Sequence, residues 1–84
     1  MTIQENWALP MARIEAYLRS LDCARRIAER HYEVGGCTLH LQPAENSKFG
    51  RYTFCRTMVS FSGEEGAVRA FHRQFVLRFL TLGG

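Results

Sequence analysis

SGEEGAVRAFHRQFVLRFLTL, residues 62–82, is the stretch that decides the fold. Ser62 followed by Glu65 is typical of a helix start, because each side chain can bind a backbone N–H of the first turn. The sequence therefore predicts a long helix from Ser62 to about Thr81. At about 100° per residue, one set of apolar side chains falls within a strip about 80° wide, which suits a helix that packs on a sheet. This inner strip consists of Val68, Phe71, Phe75, Phe79 and Leu82.

The same helix carries a second apolar surface on its other side. Its centre is Val76, Leu77 and Leu80, and its border is Arg69, Arg73 and Arg78. A chain of 84 residues has little material with which to cover both surfaces. An apolar centre with arginine at its border is typical of protein interfaces. We therefore predict a homodimer, or docking on a larger protein, through this surface; the alternative is that residues 1–8, with Trp7, fold back over it.

Length and composition indicate one globular domain. The apolar fraction is 46% and the charged fraction 23%, both near the globular average. We expect a polar leader at residues 1–8, a single domain at 9–82 and a tail at 83–84. No run approaches the roughly 20 apolar residues of a membrane span, and residues 1–10 lack the pattern of a signal peptide. The expected location is the cytoplasm, with no membrane contact.

A first helix is predicted from Met11 to about Arg30, with Pro10 at its start. Its apolar side chains recur with the 3.6-residue period and its opposite face pairs acids with arginines four positions later, as in Glu15 and Arg19. The apolar set is Ile14, Tyr17, Leu18, Leu21, Ala24 and Ala28. Two structures remain open for residues 31–34: an extension of the helix capped by Gly35, or a short strand that turns through Gly35 and Gly36. The second is slightly favoured.

Two longer strands are predicted around a turn-rich break at residues 43–50. The first covers 37–42 and the second 51–61. If Leu39 pairs with Phe54, the inner face of the second strand is Tyr52, Phe54 and Met58. The fold class is therefore α+β: a small antiparallel sheet of two or three strands packed against two helices, in the order α-β-β-(β)-α.

The cysteines do not indicate a metal or a disulfide. Cys23, Cys37 and Cys55 are an odd number in a chain expected to be cytoplasmic, where thiols stay reduced. Cys37 and His40 are close in sequence, but an offset of three in a strand places them on opposite faces. We expect no metal site and no cofactor.

Mildly basic charge supports an alternative function in nucleic-acid binding. The net charge is +3 and the isoelectric point about 9.1. The run KFGRYTF at 48–54 resembles the aromatic and basic strand of RNA-recognition motifs, with its glycine displaced. The candidate residues are Lys48, Phe49, Arg51 and Arg56. Motifs of nucleotide-binding loops and metalloproteases are absent from the sequence, so the first choice remains a non-enzymatic binding protein, an adaptor, regulator or inhibitor.

Overall fold

Five antiparallel strands form one sheet, and both helices pack against the same face of it. The structure is a computed structural model that describes residues 1–82, without the side chains of residues 46, 47, 49, 54, 81 and 82. The elements follow one another as β1 (Thr2–Trp7), α1 (Met11–Ser20), β2 (Ala24–Ala28), β3 (His31–Val34), β4 (Cys37–Phe49), β5 (Tyr52–Gly63) and α2 (Glu65–Leu82). In the sheet the strands lie in the order β1-β5-β4-β3-β2.

The expected element order and strand number are therefore wrong, although the α+β class is confirmed. The order is β-α-β-β-β-β-α, and the sheet has five strands instead of two or three. The segment at 1–8, expected to be a leader, contains β1, which pairs with β5 from Thr2 opposite Ser62 to Trp7 opposite Thr57. The carboxylate of Glu5 lies between Ile3 and Trp7 on the inner face, and it hides the apolar alternation by which strands are detected.

The first helix is half as long as predicted. It ends at Ser20, Leu21 is already extended at φ −90° and ψ 125°, and the chain returns as the edge strand β2. Ala24 pairs with Val34 in the β2–β3 ladder. Alanine and arginine are good helix formers, so local propensity favoured the helix, and tertiary pairing with β3 overrides it. By contrast, the strand at 31–34 and its turn are confirmed: Val34 lies opposite Cys37, and both intervening glycines have positive φ.

The β4–β5 hairpin is longer than predicted and has a different register. The break expected at 43–50 is instead the outer half of β4, and Gly50 and Arg51 form a two-residue turn. Leu39 lies opposite Phe61 and Leu41 opposite Val59. Pairing these buried side chains reverses the predicted faces: Thr57, Val59 and Phe61 point to the core, whereas Tyr52 and Met58 lie on the other side.

Pro43 misled the prediction because proline cannot donate to a strand ladder. The Leu41 N–H donates to the Arg30 carbonyl at 2.9 Å, which shows the side of β4 that faces β3. The nitrogen of Pro43, two residues on, faces that same side, and β3 pairs with β4 only as far as His40. The missing N–H therefore costs no ladder hydrogen bond.

The inner strip of α2 is confirmed in the described part of the chain. Val68, Phe71, Phe75 and Phe79 are buried against the sheet. Ile14 and Leu18 of α1 complete the same core with side chains from three strands. These strand residues are Tyr32, Val34, Cys37, Leu39, Leu41, Val59 and Phe61.

The predicted start of α2 is displaced by two residues. Ser62 still belongs to β5, opposite Thr38, and the Glu64 carboxylate instead accepts the Gly66 N–H at 3.1 Å. Between strand and helix, Gly63 has a φ of +138° and lies so close to β4 that a Cβ would stand 2.4 Å from the Gly36 carbonyl oxygen. Only glycine fits this junction without displacing the backbone.

Candidate functional site

The outer surface of α2 is exposed as its sequence suggests. Leu77 is 51% exposed and Leu80 is 63% exposed, and Val76 beside them is half-buried. We call these three residues the α2 patch. Among the described residues, the other large apolar side chains that are exposed are Met1, Ile27 and Tyr52, which lie outside α2. Among the described side chains, the α2 patch is thus the place where two large, exposed apolar side chains, Leu77 and Leu80, lie about one helical turn apart.

The three arginines at the border of the α2 patch differ in their contacts. Arg69 pairs with Glu65 one turn earlier at 3.0 Å, so its charge is largely compensated. Arg73 is exposed beside the patch. Arg78 lies over the ring of Tyr17 from α1, 5.7 Å from the ring centroid, in a cation–π arrangement. Within the described residues, the ion pair on this helix is therefore at its N-terminal end, and Arg73 and Arg78 lie further along it.

The N-terminal segment folds back onto α2 without covering the patch. The indole of Trp7 meets the inner rings of Phe75 and Phe79, with centroids 5.1 and 6.3 Å apart. Glu5 accepts the Trp7 Nε1–H at 3.2 Å and lies 2.9 Å from His72 Nε2. His72 is thus half-buried, and its contact with Glu5 connects α2 to β1.

A groove of about 200 Å³ separates α1 from the C-terminal half of α2. Two guanidinium-bearing residues, one from each helix, line it together with hydroxyl, aromatic and small side chains. Its lining is Arg13, Ala16, Tyr17, Ser20, Arg78 and Phe79. Burial raises the pKa of the Tyr17 phenol, against the opposing effect of the Arg78 charge, so the hydroxyl stays protonated at neutral pH. Arg13 and Arg78 are 65 positions apart, so no sequence spacing could have joined them.

The alternative, nucleic-acid candidates lie on a two-stranded ribbon formed by the outer ends of β4 and β5. Lys48 and Arg51 are exposed near the turn, beside Tyr52, which is 67% exposed. Arg56 lies at the base of the ribbon and donates from Nε to the Asn6 side-chain oxygen at 2.7 Å. The side chain of Phe49 lies outside the described residues. The structure thus brings Lys48 and Arg51 together with a tyrosine that the sequence assigned to the core.

The sheet face opposite the helices is polar. His31 and His40 stack across β3 and β4 with ring centroids 4.0 Å apart and planes at 12°. Cys37 points to the core, on the other face from His40, and is buried. Within the described residues, no three histidine, cysteine, aspartate or glutamate side chains gather where they could hold a metal ion.

Comparison with known proteins gives one family. The family model described as archaeal MoaD-like protein matches residues 5–84. No curated protein matches the chain. No helix within residues 1–82 is both long and apolar enough to cross a membrane.

Proposed function

The chain belongs to the archaeal MoaD-like protein family, and from this premise we propose that it is a non-enzymatic binding protein that docks through the α2 patch. The molecule that covers the α2 patch is a larger macromolecular partner or a second copy of the chain. The observation that carries the proposal is the exposure of Leu77 and Leu80, one turn apart on a helix whose opposite strip is buried from Val68 to Phe79.

Covering the α2 patch is energetically favourable. Transfer of apolar surface from water contributes about 25 cal/mol per Å². Because both leucines are about half exposed, each supplies on the order of 1 kcal/mol when a partner covers it. Arg73 and Arg78 at the border add polar contacts, and arginine is enriched in such positions.

The composition of the surface supports binding without catalysis. Aliphatic and arginine side chains provide area and charge, whereas proton transfer needs a group whose pKa lies near the working pH. The cytoplasm is the proposed location, because Cys23 and Cys55 are exposed thiols and such groups persist in a reducing compartment.

The test compares capture of partners by two double variants in native cell extract. Leu77→Glu with Leu80→Glu places two charges in the α2 patch and leaves the buried strip intact. Ile27→Glu with Ala28→Glu is the matched control, because it changes two exposed apolar residues on β2, away from both candidate sites. We expect quantitative mass spectrometry to find proteins enriched by the wild type and the control and lost with the first variant. Equal capture by all three proteins contradicts the proposal.

The exposure of Tyr52 beside Lys48 and Arg51 favours a second candidate, a single-stranded nucleic-acid module. Bases stack on exposed aromatic rings while neighbouring cations contact phosphates. Labelled RNA and DNA titrated at low and moderate salt decide this: affinity that falls steeply with salt and is reduced by Tyr52→Ala supports the module. Absence of RNA and DNA binding at low salt contradicts this second candidate function.

A further inference from the structure

We propose that the partner of the α2 patch is an acidic segment of another protein, which places a carboxylate in the groove between α1 and α2 and apolar side chains on Leu77 and Leu80. This inference rests on the proposed function and adds to it the chemical class of the partner. It is carried by the charge and the position of the groove.

The groove is a cationic recess of suitable size. Arg13 enters its lining from α1 and Arg78 from α2, and none of the described lining residues is acidic. Its volume of about 200 Å³ accommodates a carboxylate with part of its side chain, since one water occupies roughly 30 Å³ in the liquid. A carboxylate between two guanidinium groups is the complementary ligand for such a site.

Arg78 is already ordered for this contact. Its guanidinium lies over the Tyr17 ring at 5.7 Å, which restricts the side chain before a ligand arrives. A guanidinium held by its face still presents N–H groups along its edge, and these match a carboxylate in a two-point contact. The protonated phenol of Tyr17 adds a hydroxyl donor to the same lining. Ordering the residue in advance lowers the entropic cost of binding.

The groove and the α2 patch lie on adjoining sides of α2. Arg78 lines the groove and, at about 100° per residue, lies between Leu77 of the patch and the buried Phe79 around the helix. A segment that covers Leu77 and Leu80 and then extends around the helix past Leu77 therefore places its next residues beside Arg78. Acidic neighbours are attracted there, and basic ones are repelled.

A second copy of the chain fits this surface poorly. A symmetric dimer places the same patch on both sides of the interface. Arg73 lies between Leu77 and Leu80 around the helix, so pairing two α2 patches brings Arg73 of one copy towards Arg73 of the other. The acid of this helix face, Glu65, already binds Arg69 at the opposite end. Like charges therefore oppose self-association, and an acidic partner removes the repulsion.

The test uses a labelled helical peptide of about 16 residues that carries a leucine stripe flanked by glutamates. A second peptide has glutamine at each glutamate position and the same leucines. Fluorescence anisotropy measures both affinities at about 50 mM and about 300 mM salt, where screening differs strongly. We expect the glutamate peptide to bind at least about tenfold tighter at low salt, with the advantage reduced at high salt.

Variants assign this preference to the groove. Arg13→Gln with Arg78→Gln removes two exposed charges and is expected to abolish the preference for the glutamate peptide. Arg19→Gln with Arg26→Gln removes the same net charge outside the groove and is expected to preserve it. Leu77→Glu with Leu80→Glu is expected to abolish binding of both peptides.

The outcomes separate this inference from the proposed function. Equal binding of the two peptides, or binding of neither, overturns the acidic partner. Docking itself is decided independently by capture from extract. A wild-type dimer in light scattering that becomes a monomer in the leucine-to-glutamate variant also overturns the inference, because it places a second copy on the patch. The same result supports the proposed function.

Discussion

Gly63 joins β5 to α2 in a backbone conformation that residues with a Cβ rarely adopt. Its φ is +138°, and an added Cβ would lie 2.4 Å from the Gly36 carbonyl oxygen, a backbone atom that cannot swing aside. Strain of this kind costs on the order of 1–3 kcal/mol, before the clash is counted.

We therefore expect Gly63→Ala to lower the free energy of unfolding by about 2–4 kcal/mol. Gly35→Ala is the control: its φ is +53°, and the added Cβ meets nothing within 4 Å, so the expected loss is only about 1 kcal/mol. Urea unfolding followed by circular dichroism measures both. Similar midpoints for the two variants would show that the close approach to Gly36 is relieved at little cost.

Tyr32 provides a prediction about pH. Its hydroxyl donates to Glu15 Oε2 at 2.5 Å, and the residue is buried. Burial first, and then the hydrogen bond and charge of Glu15, raise the pKa of the phenol above 10. Because the folded-state pKa exceeds the unfolded one, the stabilisation is complete below about pH 10 and is lost as pH rises through the folded value.

Tyr32→Phe removes both the hydrogen bond and the titrating group. We expect the free energy of unfolding to fall by about 1–2 kcal/mol at pH 7, because Glu15 loses its hydrogen-bond donor. Above pH 10 the difference in the free energy of unfolding between the variant and the wild type should narrow. Only the wild type has this phenol, and ionisation of the phenol removes its stabilising effect. Chemical denaturation at pH 7, 9 and about 10.5 tests this sign. A gap that widens with pH would contradict it.

At the scale of the element, α2 separates a structural face from an exposed one. Phe75 contacts rings of Trp7, Tyr17 and Phe61 within about 6 Å, whereas Leu77, two positions later, is half exposed. The inner face contributes to the core, and the outer face is exposed and is the proposed docking surface. This division follows from the helical period alone.

Alanine substitutions should resolve the two faces of α2. Phe75→Ala is expected to cost about 3–5 kcal/mol, because a buried ring leaves a cavity among aromatic neighbours. Leu77→Ala should cost less than about 1 kcal/mol, because water already reaches the side chain. Thermal melts of the two variants and the wild type measure the contrast. A large loss in Leu77→Ala would place this residue in the core and weaken the docking proposal.

Two other elements show how local signals mislead. The helix predicted at 11–30 divides into α1 and the edge strand β2, although its residues favour a helix throughout. Pro43 and the polar residues after it indicate a break, yet β4 continues through them. The proline nitrogen lies on the edge of β4 that pairs with β3, but β3 has already ended there, so no hydrogen bond is lost. In both cases a neighbouring strand decides the outcome, and a local window does not contain that strand.

For the whole molecule, placing both helices on one sheet face gathers positive charge on the helical side. Arg13 of α1 and Arg78 of α2 line the groove, and Arg73 lies at the α2 patch on the adjoining side of the helix. The sequence predicted surplus apolar surface there and did not predict that α1 would add a cation to it.

This charge leads to a prediction about self-association. We expect a particle of one chain, 9.7 kDa, at micromolar concentration and low salt, because paired α2 patches bring arginines together. Screening lowers that repulsion, so any dimer should strengthen as salt rises, whereas binding to an acidic peptide should weaken. Light scattering at about 50 and about 500 mM salt measures the mass. A dimer at low salt that salt dissociates would contradict the prediction.

The sequence by itself determined the α+β class and the inner and outer faces of α2, and it favoured the turn at Gly35 and Gly36. Each depends on a period or a turn that a few neighbouring residues express. Only the tertiary structure decided β1, β2, the β4–β5 register and the groove between α1 and α2. These depend on pairing between distant segments, whose free energy outweighs local preference and cannot be read from either segment alone.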